Sequence, residues 1–188
     1  MLTLDKETHI YKDESGKIYP SVTEIIGSAG LKPSYDSGTT YYVDLGEAVH
    51  KLLELYDKDD LGEFVPAYQP YLDAWIKFRK DYQGLDETIL DIKTGQKYKW
   101  HPIQTAGYQI LYEYSRPKGN HIELSLASDS FCGTIDRAYS STGKIKKRMV
   151  VYISKDGYKI EPHKDQNDVY IFKAALSLFL WKKNTGGK

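Results

Sequence analysis

The sequence predicts an α/β (α+β) fold, a β-sheet flanked by amphipathic helices. Two kinds of segment predict it. Short runs rich in β-branched and apolar residues, at 88–94, 131–139 and 149–154, read as strands. Between and around them lie longer stretches with apolar residues at helical spacing, at 41–56, 70–82, 102–114 and 168–183. With 188 residues, 40% of them hydrophobic and 28% charged, the chain suits one domain with a substantial core.

The elements follow in order. Residues 8–11 and 17–20 form a small hairpin around Asp13-Glu14-Ser15-Gly16. Ser21 with Glu24 three residues on is a capping box, so a short helix starts there and stops near Gly27 or Gly30. Residues 32–40, rich in Ser, Gly, Thr and Pro, read as a loop. The next helix buries Val49, Leu52, Leu53 and Tyr56, while Glu47, His50 and Glu54 share another stripe. A further helix turns Tyr71, Ala74, Trp75 and Phe78 inward. The strand at 88–94 ends at Gly95, and Pro102 opens a helix stopped by Arg116-Pro117-Lys118-Gly119. Strands at 121–127, 131–139 and 149–154 follow, then an Asp156-Gly157 turn into 158–161. The last helix is amphipathic through Phe172, Leu176, Phe179 and Leu180.

Composition excludes several classes. The single cysteine, Cys132, rules out an intramolecular disulfide, an iron–sulfur cluster or a Cys-rich zinc site built from this chain alone, and it reads as a buried small hydrophobe. No run reaches the roughly 18–20 apolar residues that span a bilayer. The first residues carry no basic-then-apolar signal, so the expected location is cytoplasmic. With 26 basic and 26 acidic residues, the chain does not coat nucleic acid through overall charge, although a local basic groove remains compatible. The clusters at 77–80, 97–100 and 144–148 each read first as solvated faces.

Three motifs carry chemistry. In Leu90-Asp91-Ile92-Lys93-Thr94, strand alternation puts Asp91 and Lys93 on one side, so that a metal-holding carboxylate and a water-orienting ammonium share a site. Alone, such a pair is more often a surface ion pair. In Gly133-Thr134-Ile135-Asp136-Arg137, an aspartate inside a strand needs either a partner, such as Arg137 or a lysine, or a chemical task. Gln104 and Tyr108 stand one helical turn apart and could contact phosphate and brace the lysine, or simply form a helix surface.

Taken together, these motifs resemble the RecB-like, phage-exonuclease branch of the PD-(D/E)XK nuclease superfamily. That branch carries a G-x-x-x-H helix, a G-T-I-D-R strand, a D-I-K-T-G strand and a Q-x-x-x-Y helix. The matching residues here are Gly46 to His50, Gly133 to Arg137, Asp91 to Gly95, and Gln104 to Tyr108, and the likeness runs from about residue 8 to residue 182. It implies a restriction-endonuclease-like core with a central mixed sheet. Asp136, Asp91, His50 and the Ile92 carbonyl would hold Mg²⁺ or Mn²⁺, and Lys93 would attend the attacking water. Gln104 and Tyr108 would support the site and, with Arg137 and Lys97, contact substrate; Glu47 and Glu123 are weaker candidates. His9, His101, His121 and His163 match no motif and are expected to be structural or exposed.

One departure is topological. In the family the G-T-I-D strand precedes the D-I-K-T-G strand; here it follows. Moving residues 121–143 between Gln83 and Gly84 restores the family order, so the chain reads as a block-swapped version of the fold, natural or engineered. The swap needs three joints, all at one edge of the sheet, and the contact set could survive it. The implied activity is metal-dependent hydrolysis of DNA phosphodiesters, exonucleolytic by branch. The alternative is an inactive DNA-binding module that keeps the fold. An unrelated hydrolytic or sugar-binding domain ranks last, since neither a G-x-S-x-G elbow nor a Walker-type loop is present. Oligomeric state is not legible.

Overall fold

A computed structural model of the chain describes residues 3–5, 10–12, 14–33, 40–83, 85–115, 135–139 and 144–186. Among these, β1 (Thr3–Asp5), β2 (Ile10–Lys12) and β3 (Ile18–Tyr19) form a small antiparallel sheet. The β2–β3 hairpin is the one that the sequence predicts. The additional strand β1 is too short to announce itself by alternation. Next comes α1 (Val22–Ser28), whose N-cap is the expected box: Ser21 Oγ accepts from the Glu24 amide at 3.0 Å, and the Glu24 carboxylate accepts from the Ser21 amide at 3.4 Å.

The second sheet holds the site. The helices α2 (Thr40–Asp57) and α3 (Gln69–Asp81) precede β4 (Thr88–Lys93), and α4 (His101–Ser115) follows it. After them come β5 (Ile135–Tyr139), β6 (Lys147–Ser154), β7 (Gly157–Pro162) and α5 (Asn167–Thr185). The described strands are ordered β5-β4-β6-β7. β4 runs antiparallel to β5 and parallel to β6, and β6 runs antiparallel to β7. The sheet is therefore mixed, and α4 supplies the crossover side of the β4–β6 pair. The expected strand at 121–127, the first half of 131–139, Cys132, His9 and His121 lie outside the described residues.

Alternation along β4 divides the core in two. Leu90 and Ile92 join Val49, Leu53, Trp75 and Phe78 of α2 and α3 on one face. Ile89 faces the other way, with Val22 of α1, Ile103 and Tyr108 of α4, and Phe172 of α5. The inward residues expected on α3, namely Tyr71, Ala74, Trp75 and Phe78, are all buried. On α5 the expectation needs one correction. Phe172 is buried and Leu176 and Phe179 pack partly, but Leu180 is 45% exposed. One residue past Phe179 is a rotation of about 100°, which carries the side chain off the packed face.

The basic run at 144–148 also needs a correction. Ile145 and Arg148 are buried. Arg148 donates to the carbonyls of Pro102 at 3.0 Å and Asp165 at 2.6 Å and to Asp168 Oδ2 at 3.1 Å, tying β6 to the starts of α4 and α5. Lys146 pairs with Glu87 at 2.6 Å, and the Glu87 carbonyl accepts from the amides of Lys146 and Lys147. That carbonyl cross-links the chain just before β4 to the chain entering β6.

Gly107 on α4 marks the closest helix contact. A Cβ there would lie 2.6 Å and 2.9 Å from Phe172 ring atoms and 2.8 Å from Val22 Cγ1. In an exposed helix, alanine would gain about 1 kcal/mol over glycine. Here the overlap decides the sign, because a ring and a β-branched side chain must both give way. Gly107→Ala is expected to destabilise the fold by about 1–3 kcal/mol, read as a lower denaturation midpoint in urea.

Candidate active site

β4 is buried at all six positions, including Asp91 at 0% and Lys93 at 2% exposure. The two side chains share a face, as alternation requires, and they pair. Lys93 Nζ donates to Asp91 Oδ1 at 3.3 Å and lies 3.1 Å from Oδ2. The second contact is an ion-pair distance without hydrogen-bond geometry, so Oδ2 has no hydrogen-bond partner. This is not the exposed ion pair that chance would supply. Burial pushes the Asp91 carboxyl up to about 6, against the opposing pull of the Lys93 ammonium. The ammonium also stands 5.8 Å from the centre of the Trp100 ring.

A bulge lies beside this pair. Leu90 is opposite Arg137, but Asp91 is opposite Ile135, so Asp136 is the extra residue in β5. Bulges bend a strand and re-aim the side chain they carry. The backbone of Asp136 therefore runs alongside Asp91; the side chains of Asp136 and Arg137 lie outside the described residues, as does Glu123.

α2 reaches β4 from the Leu90/Ile92 side. At Gly46 a Cβ would stand 3.4 Å from Thr94 Oγ1, so the helix passes close to the end of the strand. One turn later the His50 ring hydrogen-bonds to the Ile92 main chain. That bond favours the charged ring, so the ring N–H donates to the Ile92 carbonyl. Burial and the nearby Lys93 charge outweigh it and lower the imidazole to about 3, leaving it neutral with one nitrogen lone pair. Glu47 is exposed, and Glu54 on the same stripe is a surface residue paired with Lys51 and Lys58.

Gln104 and Tyr108 meet as their spacing predicts, Gln104 Nε2 donating to Tyr108 Oη at 2.8 Å. Neither lies on a helix surface: they are 0% and 5% exposed, Tyr108 within the apolar cluster behind β4. Both act as interior bracing. Lys97 is exposed and pairs with Glu161 at 2.5 Å.

Sequence reasoning missed a polar network beside Lys93. His101 and His163 are buried and hydrogen-bonded, not exposed. His101 Nδ1 lies 2.8 Å from Tyr152 Oη, which donates to Glu161 Oε2 at 3.2 Å. His163 Nδ1 lies 2.9 Å from Thr105 Oγ1. Burial lowers His101 to about 3 and His163 to about 4, with Lys93 adding to the first and Glu161 opposing the second. The missing signal was register. Tyr152 faces the site because it pairs with Lys93 across β4 and β6, a partnership that no local pattern encodes.

Toward a divalent ion, Asp91 offers an Oδ2 without a hydrogen-bond partner, and His50 lies against the Ile92 main chain on the α2 side of β4. Against it, Lys93 already stands at the same oxygen, and no group of three His, Cys, Asp or Glu side chains suited to a metal occurs among the described residues. No helix among them is long and apolar enough to cross a membrane. Comparison with family models, with curated proteins and with solved structures finds no match to this chain.

Proposed function

We propose that the protein is a metal-dependent deoxyribonuclease of the PD-(D/E)XK type, with Asp91, Asp136 and Lys93 at its centre. The observation that carries this reading is the Asp91–Lys93 pair, fully buried in a central strand beside a bulge at Asp136. Burying two charges costs several kcal/mol per ion, and an apolar pair of similar volume would serve stability as well. A buried carboxylate raised to about 6, with one oxygen lacking a hydrogen-bond partner, is the kind of group that working sites hold.

Asp91, Asp136 and His50 would hold the ion. Mg²⁺ or Mn²⁺ suits carboxylate-rich ligation with one imidazole, and when bound supplies charge for the phosphate and an activated water. Lys93 would orient the nucleophile and meet the negative charge that develops on the phosphate. Gln104 and Tyr108 hold α4 behind the strand so that Lys93 keeps its place. Arg137 and Lys97 would contact the DNA backbone.

A second reading is favoured by the seal around the pair. At 0% and 2% exposure, Asp91 and Lys93 pair with one another inside the protein, as a structural ion pair does. This describes a nuclease fold retained as an inactive DNA-binding module. Degradation of linear and circular DNA with Mg²⁺, Mn²⁺ or EDTA, alongside Asp136→Ala, separates the two. The enzyme reading expects metal-dependent loss of linear DNA that the variant lacks. A folded protein that binds DNA and cleaves neither form under any metal establishes the module instead.

The pH dependence follows from Asp91. Its carboxyl takes a proton at about 6, and a metal ion must displace that proton. Below that value the metal concentration for half-maximal cleavage is expected to rise roughly tenfold per pH unit, and above it to level off. Metal titrations between pH 5 and 8 check this.

A further inference from the structure

His101, the first residue of α4, is 1% exposed, with the Trp100 ring 4.5 Å away edge-on and Tyr98 at 5.5 Å. Its Nδ1 meets Tyr152 Oη at 2.8 Å. A phenol has one proton, and Tyr152 gives it to Glu161 Oε2 at 3.2 Å. The contact with His101 therefore has Nδ1–H donating to the phenol oxygen, which leaves the lone pair of the neutral ring on Nε2. Beyond Tyr152, Glu161 Oε1 pairs with Lys97 at 2.5 Å and stands 4.0 Å from His163 Nε2.

The line thus runs from surface Lys97 through Glu161 and Tyr152 to His101. Two features join it to the candidate centre. Tyr152 is the register partner of Lys93, so the two side chains leave neighbouring strands on one face. Trp100, wedged against His101, carries the Lys93 ammonium 5.8 Å from its ring centre. We propose that Glu161, Tyr152 and His101 form a positioning relay for Lys93, in which Glu161 orients the Tyr152 hydroxyl, the hydroxyl fixes His101 as the Nδ1–H tautomer, and the locked ring holds Trp100 against the ammonium. The burial of His101 and the charge of Lys93 both keep the ring neutral, so no second cation forms beside the lysine. A carboxylate and a hydroxyl that set an imidazole tautomer are the same device that orients metal-bound and catalytic histidines.

The functional half of the relay rests on the nuclease reading; the tautomer does not. The test is Tyr152→Phe, which removes one oxygen and keeps the ring. With ¹⁵N-labelled protein, His101 is expected to be Nδ1–H in the wild type and a tautomer mixture in the variant, with the Lys93 ammonium resonance displaced. On DNA, kcat should fall about 10- to 100-fold with KM within about twofold. His101→Asn, whose amide can replace the Nδ1–H donor, should retain more activity than His101→Gln. An Nε2–H ring in the wild type overturns the relay. So does a Tyr152→Phe protein whose His101 and Lys93 signals are unchanged, or one that loses thermal stability but keeps kcat. If the wild type cleaves no DNA, the nuclease reading falls, and the two resonances alone decide the relay.

Discussion

Lys93→Met is expected to cost about 3–5 kcal/mol of stability at pH 8 and much less at pH 5. Methionine keeps most of the apolar stem of the side chain, so the change mainly removes the charge. The wild-type Asp91 carboxyl is already raised from 3.8 to about 6 by burial, with Lys93 opposing the rise. Its contribution to stability is therefore full below the unfolded value and lost as pH rises through the folded one. Without Lys93 the folded value climbs further, so the deficit of the variant opens as pH passes about 6. Chemical denaturation at the two pH values reads this directly. An equal loss at both would assign the cost to packing rather than charge. Cleavage by the same variant should fall by about 10²–10⁴-fold, the usual weight of a positioned proton-handling group.

Arg148→Ala is the second large effect, expected at about 3–5 kcal/mol. Arg148 is 3% exposed, and its guanidinium serves Asp168, the Asp165 carbonyl and the Pro102 carbonyl together. Truncation strands all three acceptors and releases the starts of α4 and α5 from β6. Burial raises the Asp168 carboxyl and Arg148 opposes it, so the variant should recover part of its loss in acid as Asp168 takes a proton. Arg148→Met combined with Asp168→Asn should be more stable than Arg148→Ala, because the orphaned charge is gone. Denaturation midpoints of the three proteins check the order. A double variant no better than the single one would mean that the carbonyl contacts dominate.

The candidate site was legible in the sequence where the signal was local. Asp91 and Lys93 follow from the two-residue period of a strand, Gln104 and Tyr108 from one turn of a helix, and the Ser21–Glu24 box from its spacing. Each needs only the backbone geometry of its own element. Arg148 was misread because a basic run looks solvated until the acceptors that surround it are known, and these come from residues 102, 165 and 168. Leu180 was misread because the packed stripe of α5 is narrower than its apolar content.

By itself, then, the sequence determined most of the described strands and helices, and which residues of one element share a face, since both depend on short-range periodicity and caps. Only the tertiary structure decided what lies across from them. The β5–β4–β6–β7 order, the bulge that sets the Asp136 backbone beside Asp91, the burial of the Asp91–Lys93 pair and the line from Lys97 to His101 all arise from register and packing between distant segments. The physical reason is that a strand exposes identical backbone donors and acceptors along its length. The choice of partner and register is made by burying faces together, a property of the whole core and not of any stretch of sequence.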